Sequence, residues 1–439
     1  MNKLKKTAII LCGVLFLQNA HALDLTLNDA VSRIQTESHD LKKADANLRR
    51  ARAGLDSANS NRWFKIDGTA TYMNIINVEN PGKPLGIALP ADVVGASGGM
   101  IPAFMEFPSN IGMAGATLSL PIYTFGQIGN AVDAARDAIK MAESGNELAR
   151  REVAAAAAQM YWTAKMTDDL VKIAENNLKA SKDAERKLTS AGRANRLNLV
   201  KITADVAAKE IALSDAEFNR DSAHRMLKIL AGVDMEESLN LIDEFPNSFV
   251  ALDAPAALES NPEWDLFEYQ AKMFESSARA KRAARYPTLG ATASYNYIAT
   301  HTDASLWNGV KNQSAYWGVS LSVPLFDGGS ARANATMDAM EAEAVRQDLD
   351  KSKKMKSNEY TEAVLKHAHL RENFGRLNEA RDLAAKTAQI SFERFAAGQT
   401  SAVELSDVQA ALAQMDMAVL NAKFNILMSE ENVRKLGAK

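Results

Sequence analysis

Pro287-Thr-Leu-Gly-Ala-Thr-Ala-Ser-Tyr-Asn-Tyr-Ile-Ala299 alternates small or apolar residues with polar ones. Leu289, Ala291, Ala293, Tyr295 and Tyr297 share one face, and Thr288, Thr292, Ser294 and Asn296 share the other, the period-two pattern of a β-strand. The run is longer than the five or six residues usual in a globular sheet and matches the roughly 9 to 11 that cross a bilayer at a tilt. Residues 315 to 325 repeat the pattern, with Ala315, Trp317, Val319, Leu321, Val323 and Leu325 opposite Ser314, Ser320 and Ser322. Upstream, Phe64, Ile66, Ala70 and Tyr72 oppose Lys65, Asp67, Thr69 and Thr71, and a weaker strand is expected from about Ile111 to Tyr123.

These strands belong to an internal repeat. Leu118-Ser-Leu-Pro-Ile-Tyr-Thr-Phe-Gly126 matches Leu321-Ser-Val-Pro-Leu-Phe-Asp-Gly-Gly329, Phe64 to Tyr72 matches Pro287 to Tyr295, and Ala191-Gly192 matches Ala397-Gly398, at offsets of 203, 223 and 206. Three matches in the same order at similar offsets mark a tandem duplication. Apolar side chains outside and Ser, Thr and Asn inside is the arrangement of an outer-membrane barrel. Four strands cannot close one, since the smallest spanning barrels have about eight. Open strand edges in lipid leave backbone groups unpaired at several kcal/mol each, so the edges are expected to pair with other copies of the chain. Two, three or four protomers all give an even strand number, and parity does not choose among them.

The rest reads as helix. Gln127 to about Ser190 contains no proline and one isolated glycine, Gly145, and is rich in Ala, Glu, Lys and Leu. At 1.5 Å per residue such a helix is about 95 Å long. Val153, Met160, Thr167, Ala174, Ser181 and Leu188 recur every seven residues, a coiled-coil seam. Its counterpart runs from about Ala331 to Ala397, and shorter helices are expected at about Asn195–Ala231, Asn261–Arg285, Ala402–Leu436 and Asn28–Asn61. The expected product is a barrel on a helical cylinder, with domains at 23–232 and 261–439 joined by an irregular segment, 233–260.

Residues 1–22 read as a signal peptide: Lys3, Lys5 and Lys6, an apolar run from Thr7 to Leu17, and a small-x-small site at Ala20-His21-Ala22. Cys12, the only cysteine, lies in that run, so cleavage leaves a mature chain with neither disulfide nor lipid thioether. A net charge of -3 over 439 residues and a pI near 6.2 argue against a nucleic-acid partner, which clustered Lys and Arg would serve. No later stretch has the length and apolarity of a membrane helix.

The signal peptide, the two strand and helix repeats, the Leu321 to Gly329 strand exit and Gly398-Gln-Thr-Ser-Ala-Val-Glu404-Leu-Ser-Asp407-Val-Gln together resemble the TolC family of outer-membrane efflux proteins. The resemblance covers essentially the whole mature chain. It implies an α+β membrane protein. Its homotrimer would form a 12-stranded β-barrel, four strands per protomer, continuous with a long α-helical coiled-coil barrel. It further implies a passive channel of a tripartite efflux or type I secretion system, served by a periplasmic adaptor and an inner-membrane transporter and surrounded by outer-membrane lipid. A secreted or periplasmic coiled-coil scaffold without channel activity is the alternative, and it leaves the four long strands without a use. A secreted enzyme would need convergent polar groups that the sequence does not show.

Glu404 and Asp407, three apart at a helix start, share one face. The resemblance places them at the narrowest, cation-selective ring of the channel; the plain alternative is acidic placement in a first helical turn, which the helix dipole favours. The resemblance also assigns Gly192, Arg193, Arg196, Asn198, Phe395, Gly398 and Thr400 to the hairpin tips and the adaptor contact. The resemblance implies a closed state held by contacts among an aromatic, an arginine and an aspartate; Phe395 stands at the aromatic position without a hydroxyl, Thr400 where the arginine would be and Asn198 in place of the aspartate, so a different latch is expected. Arg193 and Arg196 are available for it. Clustered cations such as Arg49, Arg50, Arg282 and Arg285 suit helix C-termini, and strand-region aromatics such as Trp63, Tyr123 and Trp317 suit interfacial girdles. Residues 77–110 are expected to form the larger external loop and 299–313 the smaller. No catalytic residue, cofactor or metal site is expected: no phosphate-binding loop or HExxH is present, and His367 and His369, two apart, point to different helix faces.

Overall fold

A computed structural model describes residues 23–74, 110–190, 196–249, 251–252, 258–301 and 310–437. The signal segment, residues 77–109 of the long connection, most of the smaller external loop, and Gly192 and Arg193 lie outside the described residues. The elements in order are β1 (Leu23–Leu25), α1 (Leu27–Glu37), α2 (His39–Ser60), β2 (Lys65–Asn74), β3 (Asn110–Tyr123), α3 (Gln127–Ser190), α4 (Arg196–Ala231), β4 (Leu239–Leu241), α5 (Pro262–Ala283), β5 (Thr288–His301), β6 (Val310–Ser322), α6 (Ser330–Ala396) and α7 (Ala402–Gly437). By contacts the chain divides into two units, one within Met1–Asn47, Ala142–Leu266 and Leu349–Lys439, the other within Leu48–Met141 and Phe267–Asp348.

The second unit holds an antiparallel four-stranded sheet in the order β2-β3-β5-β6. Its register aligns the alternation across all four strands. Ile66, Leu118, Ala293 and Trp317 form one row, and Gly68, Ala116, Tyr295 and Ala315 another, on the apolar face. The intervening rows, Asp67 with Thr117, Ser294 and Tyr316, and Thr69 with Gly115, Asn296 and Ser314, make the polar face. There Thr117 Oγ1 and Ser294 Oγ lie 3.0 Å apart, and Asn296 Nδ2 donates to Ser294 Oγ at 3.1 Å. A Cβ at Gly115 would sit 2.5 Å from Asn296 Oδ1, so a larger residue in this row would displace the Asn296 side chain. On the apolar face Trp317 is 83% exposed and Ile66 63%, so the protomer leaves that face uncovered. No helix among the described residues is long and apolar enough to cross a membrane.

In the same unit, Asp327 opens α6. Its carboxylate accepts the N–H groups of Gly329 at 2.8 Å and Ala331 at 2.9 Å, and these backbone bonds hold its pKa below the ordinary carboxylate value. Ser277 Oγ and Lys281 Nζ both donate to Asp338, fastening α5 to α6.

The first unit is built on the helices. Its main apolar cluster gathers Leu25, Ala30 and Ile34 with Tyr161 and Trp162 of α3, Leu227 and Ala231 of α4, and Leu241 and Phe245. Two expectations change here. The helix expected over 28–61 breaks at Ser38, whose ψ of 122° is incompatible with a helix. The segment expected to be irregular contains β4, which pairs in parallel with β1. Strands of three residues carry too little periodicity to be read from sequence.

A buried polar network fixes this pairing. The Tyr161 hydroxyl lies 3.1 Å from the Leu25 carbonyl and 3.0 Å from the Asp243 carboxylate, and it accepts the Asp243 N–H at 3.2 Å. Asp243 also accepts the Leu27 N–H at 2.7 Å, and the buried Lys165 ammonium donates to the Leu241 carbonyl at 3.0 Å. Burial pushes the Tyr161 phenol above its ordinary pKa, so it keeps its proton. Tyr161→Phe is therefore expected to lower stability by about 1–3 kcal/mol, because buried acceptors lose their donor. A phenol with a raised pKa contributes fully below its unfolded value, so the loss should be constant up to about pH 9. Thermal melting of the detergent-solubilised protein across pH checks both.

Candidate functional site at the hairpin tips

In the first unit α3 and α4 form one helical hairpin and α6 and α7 the other, and their tips share a small apolar cluster. Ala184 of α3, Ile202 of α4, Phe395 of α6, and Ala402 and Leu405 of α7 are buried together, with Leu188 and Phe392 packed against them. Leu188, the last residue of the heptad seam, thus meets its partners here. Phe395 is a core anchor for both hairpins, a role that a ring without a hydroxyl fills at no polar cost.

The turn from α6 to α7 is set by local chemistry. Gly398 has φ of 76°, in the left-handed region. Its N–H reaches the Phe395 carbonyl at 3.0 Å, and the Gln399 N–H reaches the Arg394 carbonyl at 2.8 Å, the two bonds of a Schellman cap. Ser401 then starts α7: its side chain accepts the Glu404 N–H at 3.2 Å and its carbonyl accepts the Leu405 N–H at 3.1 Å.

With this start fixed, the helical period determines where the two acids point. Ala402, Leu405 and Ala413 form the buried stripe of α7, whereas Glu404 and Asp407 are exposed. At 3.6 residues per turn the acids fall on the opposite side of the helix from that stripe. Neither carboxylate makes a side-chain hydrogen bond or ion pair among the described residues. Two unpaired carboxylates on one exposed face concentrate negative potential and attract cations.

The other expected tip residues separate by environment. Arg196 is exposed and Asn198 is half-buried at the start of α4, and neither forms a side-chain bond with Phe395 or Thr400. Thr400 Oγ1 is buried without a hydrogen-bond partner.

One functional candidate was not anticipated. Asp205 of α4 accepts Ser181 Oγ of α3 at Oδ2 (2.6 Å) and Ser406 Oγ of α7 at Oδ1 (2.9 Å). Ser181 is fully buried. Its position as a hydroxyl at a buried seam position was the available signal, because a buried hydroxyl needs a partner. Elsewhere Lys182 pairs with Glu210 at 2.7 Å within the first hairpin, and Arg381 with Asp416 at 2.7 Å within the second. Among the described residues no His, Cys, Asp and Glu grouping suited to a metal occurs. His367 is buried against Ser429 Oγ at 3.0 Å, while His369 contacts Asn373.

Residues 30–233 and 254–438 match the family model described as outer membrane efflux protein. A comparison with curated proteins gave no match. Among solved structures, the chain superposes on CusC with a TM-score of 0.77 and 16% identity, covering 95% of this chain and 93% of that one. It superposes on the Campylobacter jejuni channel CmeC with a TM-score of 0.74 and 18% identity, over 93% and 85% of the two chains. For VceC of Vibrio cholerae the values are 0.73 and 17%, over 94% and 96%. At these identities the likeness is one of fold.

Phe395→Ala should cost about 3–5 kcal/mol at the tip cluster, the usual range for emptying a buried aromatic site. Hydrogen exchange in the segments around Ala184, Ile202 and Leu405 is expected to rise, while exchange around Tyr161 stays as in the wild type.

Proposed function

Because this chain belongs to the outer membrane efflux protein family, and so is an outer-membrane efflux channel, we propose that it works as a homotrimer with an acidic entrance. The observation that carries closure by further copies is the sheet, which among the described residues has four strands, two free edges and an uncovered apolar face. Three antiparallel steps separate β2 from β6, so these edge strands run in opposite directions. The β6 edge of one chain can therefore pair antiparallel with the β2 edge of the next, and the ring closes without a mismatched join. Three copies give twelve strands, the number implied by the family resemblance. Closure supplies the backbone partners that lipid cannot.

The same threefold arrangement would gather three copies each of Glu404 and Asp407 around the axis. Support comes from their shared exposed face opposite the buried stripe and from the fixed start of α7. In a narrow passage of low dielectric these carboxylates lower the barrier for cations and raise it for anions. The hairpin tips, with Arg196, Asn198, Gly398 and Thr400, would face a periplasmic adaptor, which couples the channel to an inner-membrane transporter. Substrate then moves passively through the channel, and energy input belongs to the transporter.

Two measurements test this reading. The detergent-extracted protein should have three times the protomer mass, and a folded monomer or dimer would overturn the architecture. In planar bilayers the wild type should be cation-selective and blocked by multivalent cations from the periplasmic side. Replacing Glu404 and Asp407 together by Ala should weaken both properties and leave the trimer intact, since neither residue buries apolar area. Unchanged selectivity and block would show that the ring lies elsewhere.

A further inference from the structure

We propose that Asp205 is the positioning residue of the channel entrance: by bridging Ser181 and Ser406 it fixes the rotation of α7 and so the direction of Glu404 and Asp407. The inference rests on the constriction reading above, and it concerns a residue outside the expected ring and latch.

The geometry gives Asp205 two separate tasks. One carboxylate oxygen takes the hydroxyl of the buried Ser181, tying α4 to α3 within the first hairpin. The other takes the hydroxyl of Ser406, tying α4 to α7 of the second hairpin. Both are hydrogen bonds to an ionised acceptor, stronger than neutral ones. Ser406 lies between the two acids in sequence, one residue before Asp407 and two after Glu404. It sits at the margin of the buried stripe of Ala402, Leu405 and Ala413, on the side of the helix away from the acids.

That placement matters because apolar packing here is weakly directional. The α7 side of the tip cluster is one alanine and one leucine, Ala402 and Leu405. Small side chains in a seam permit close approach and also permit a helix to roll or slide, since hydrophobic contact has no preferred angle. A hydrogen bond with a short, charged acceptor has one. Asp205 therefore supplies the angular restraint that the cluster lacks. Rolling α7 by even a fraction of a turn would carry Glu404 and Asp407 sideways and change the width and charge of the passage they line. Among the described residues neither Asn198 nor Thr400 forms a side-chain bond that could substitute.

Single-channel recording of full-length trimers in planar bilayers tests the proposal, with Ser406→Ala, Asp205→Ala and Asp205→Asn. Ser406→Ala removes one hydroxyl and preserves the Ser181 bond, so it reports on the α4 to α7 tie without endangering the fold. Losing a bond to a charged acceptor should shift the population toward rolled conformers by about tenfold. Ser406→Ala and Asp205→Ala should both raise conductance severalfold and reduce cation selectivity, with trimer mass unchanged. Asp205→Asn can accept from one serine and donate to the other, and it should stay near the wild type. Wild-type conductance in Ser406→Ala would overturn the proposal, as would an Asp205→Asn channel altered as much as Asp205→Ala, since bond geometry would then not be the cause. The ring is judged separately by Glu404→Gln with Asp407→Asn. If that pair leaves selectivity unchanged, the constriction reading fails whatever the Asp205 variants do; if it abolishes selectivity while Ser406→Ala is silent, only the positioning role fails.

Discussion

A backbone amide in hydrocarbon has no water to bond to, and the organisation of this protein follows from that fact. The four strands β2, β3, β5 and β6 satisfy one another's backbone groups inside the sheet but leave two edges, and an unpaired edge group in lipid costs several kcal/mol. The apolar face, with Trp317 and Ile66 exposed, excludes water as a remedy. Further copies of the same sheet are the natural remedy. The even strand number per chain, with β2 and β6 antiparallel, makes repeated addition geometrically consistent. Assembly is therefore a condition for the sheet to exist in a membrane, and the passage through its centre is a consequence of closure.

The helical unit solves a different problem. Helices satisfy their own backbone groups, so their pairing can be left to side chains, and here the work is divided. Apolar clusters such as the one around Tyr161 and Trp162 supply most of the burial, while a few polar contacts specify position. Tyr161 and Asp243 hold β1 and β4 in register, and Asp205 links α3, α4 and α7. Buried polar groups contribute modest net stability when satisfied and a large penalty when not, which makes them effective at rejecting alternative packings. This division suits the proposed entrance, because a small number of directional bonds can be exchanged without dismantling an apolar core.

Much of this was legible in the sequence. The strands alternate residue by residue from Leu289 to Tyr297, and the long helices carry strong formers without proline, so local period alone located α3, α4 and α7 to within a residue or so of their ends. Gly398 declared the turn that precedes Glu404, because a left-handed residue is a local requirement, and the structure adds Ser401 as the cap that starts α7. The break at Ser38 and the β1 to β4 pair were not legible. The first depends on how α1 packs, and the second joins residues more than two hundred positions apart through a buried tyrosine.

The sequence by itself determined the duplication, the membrane-length strands, the long paired helices and the common face of Glu404 and Asp407, since each is a property of spacing along one chain. Only the tertiary structure decided the strand order, the register that gathers four apolar faces into one, the burial of Phe395 as an anchor and the pairing of Asp205 with Ser181 and Ser406. The reason is physical. Periodicity is fixed by the geometry of a single element, whereas a hydrogen bond between helices depends on the depth and rotation at which they pack, and those are set by every side chain in the interface at once.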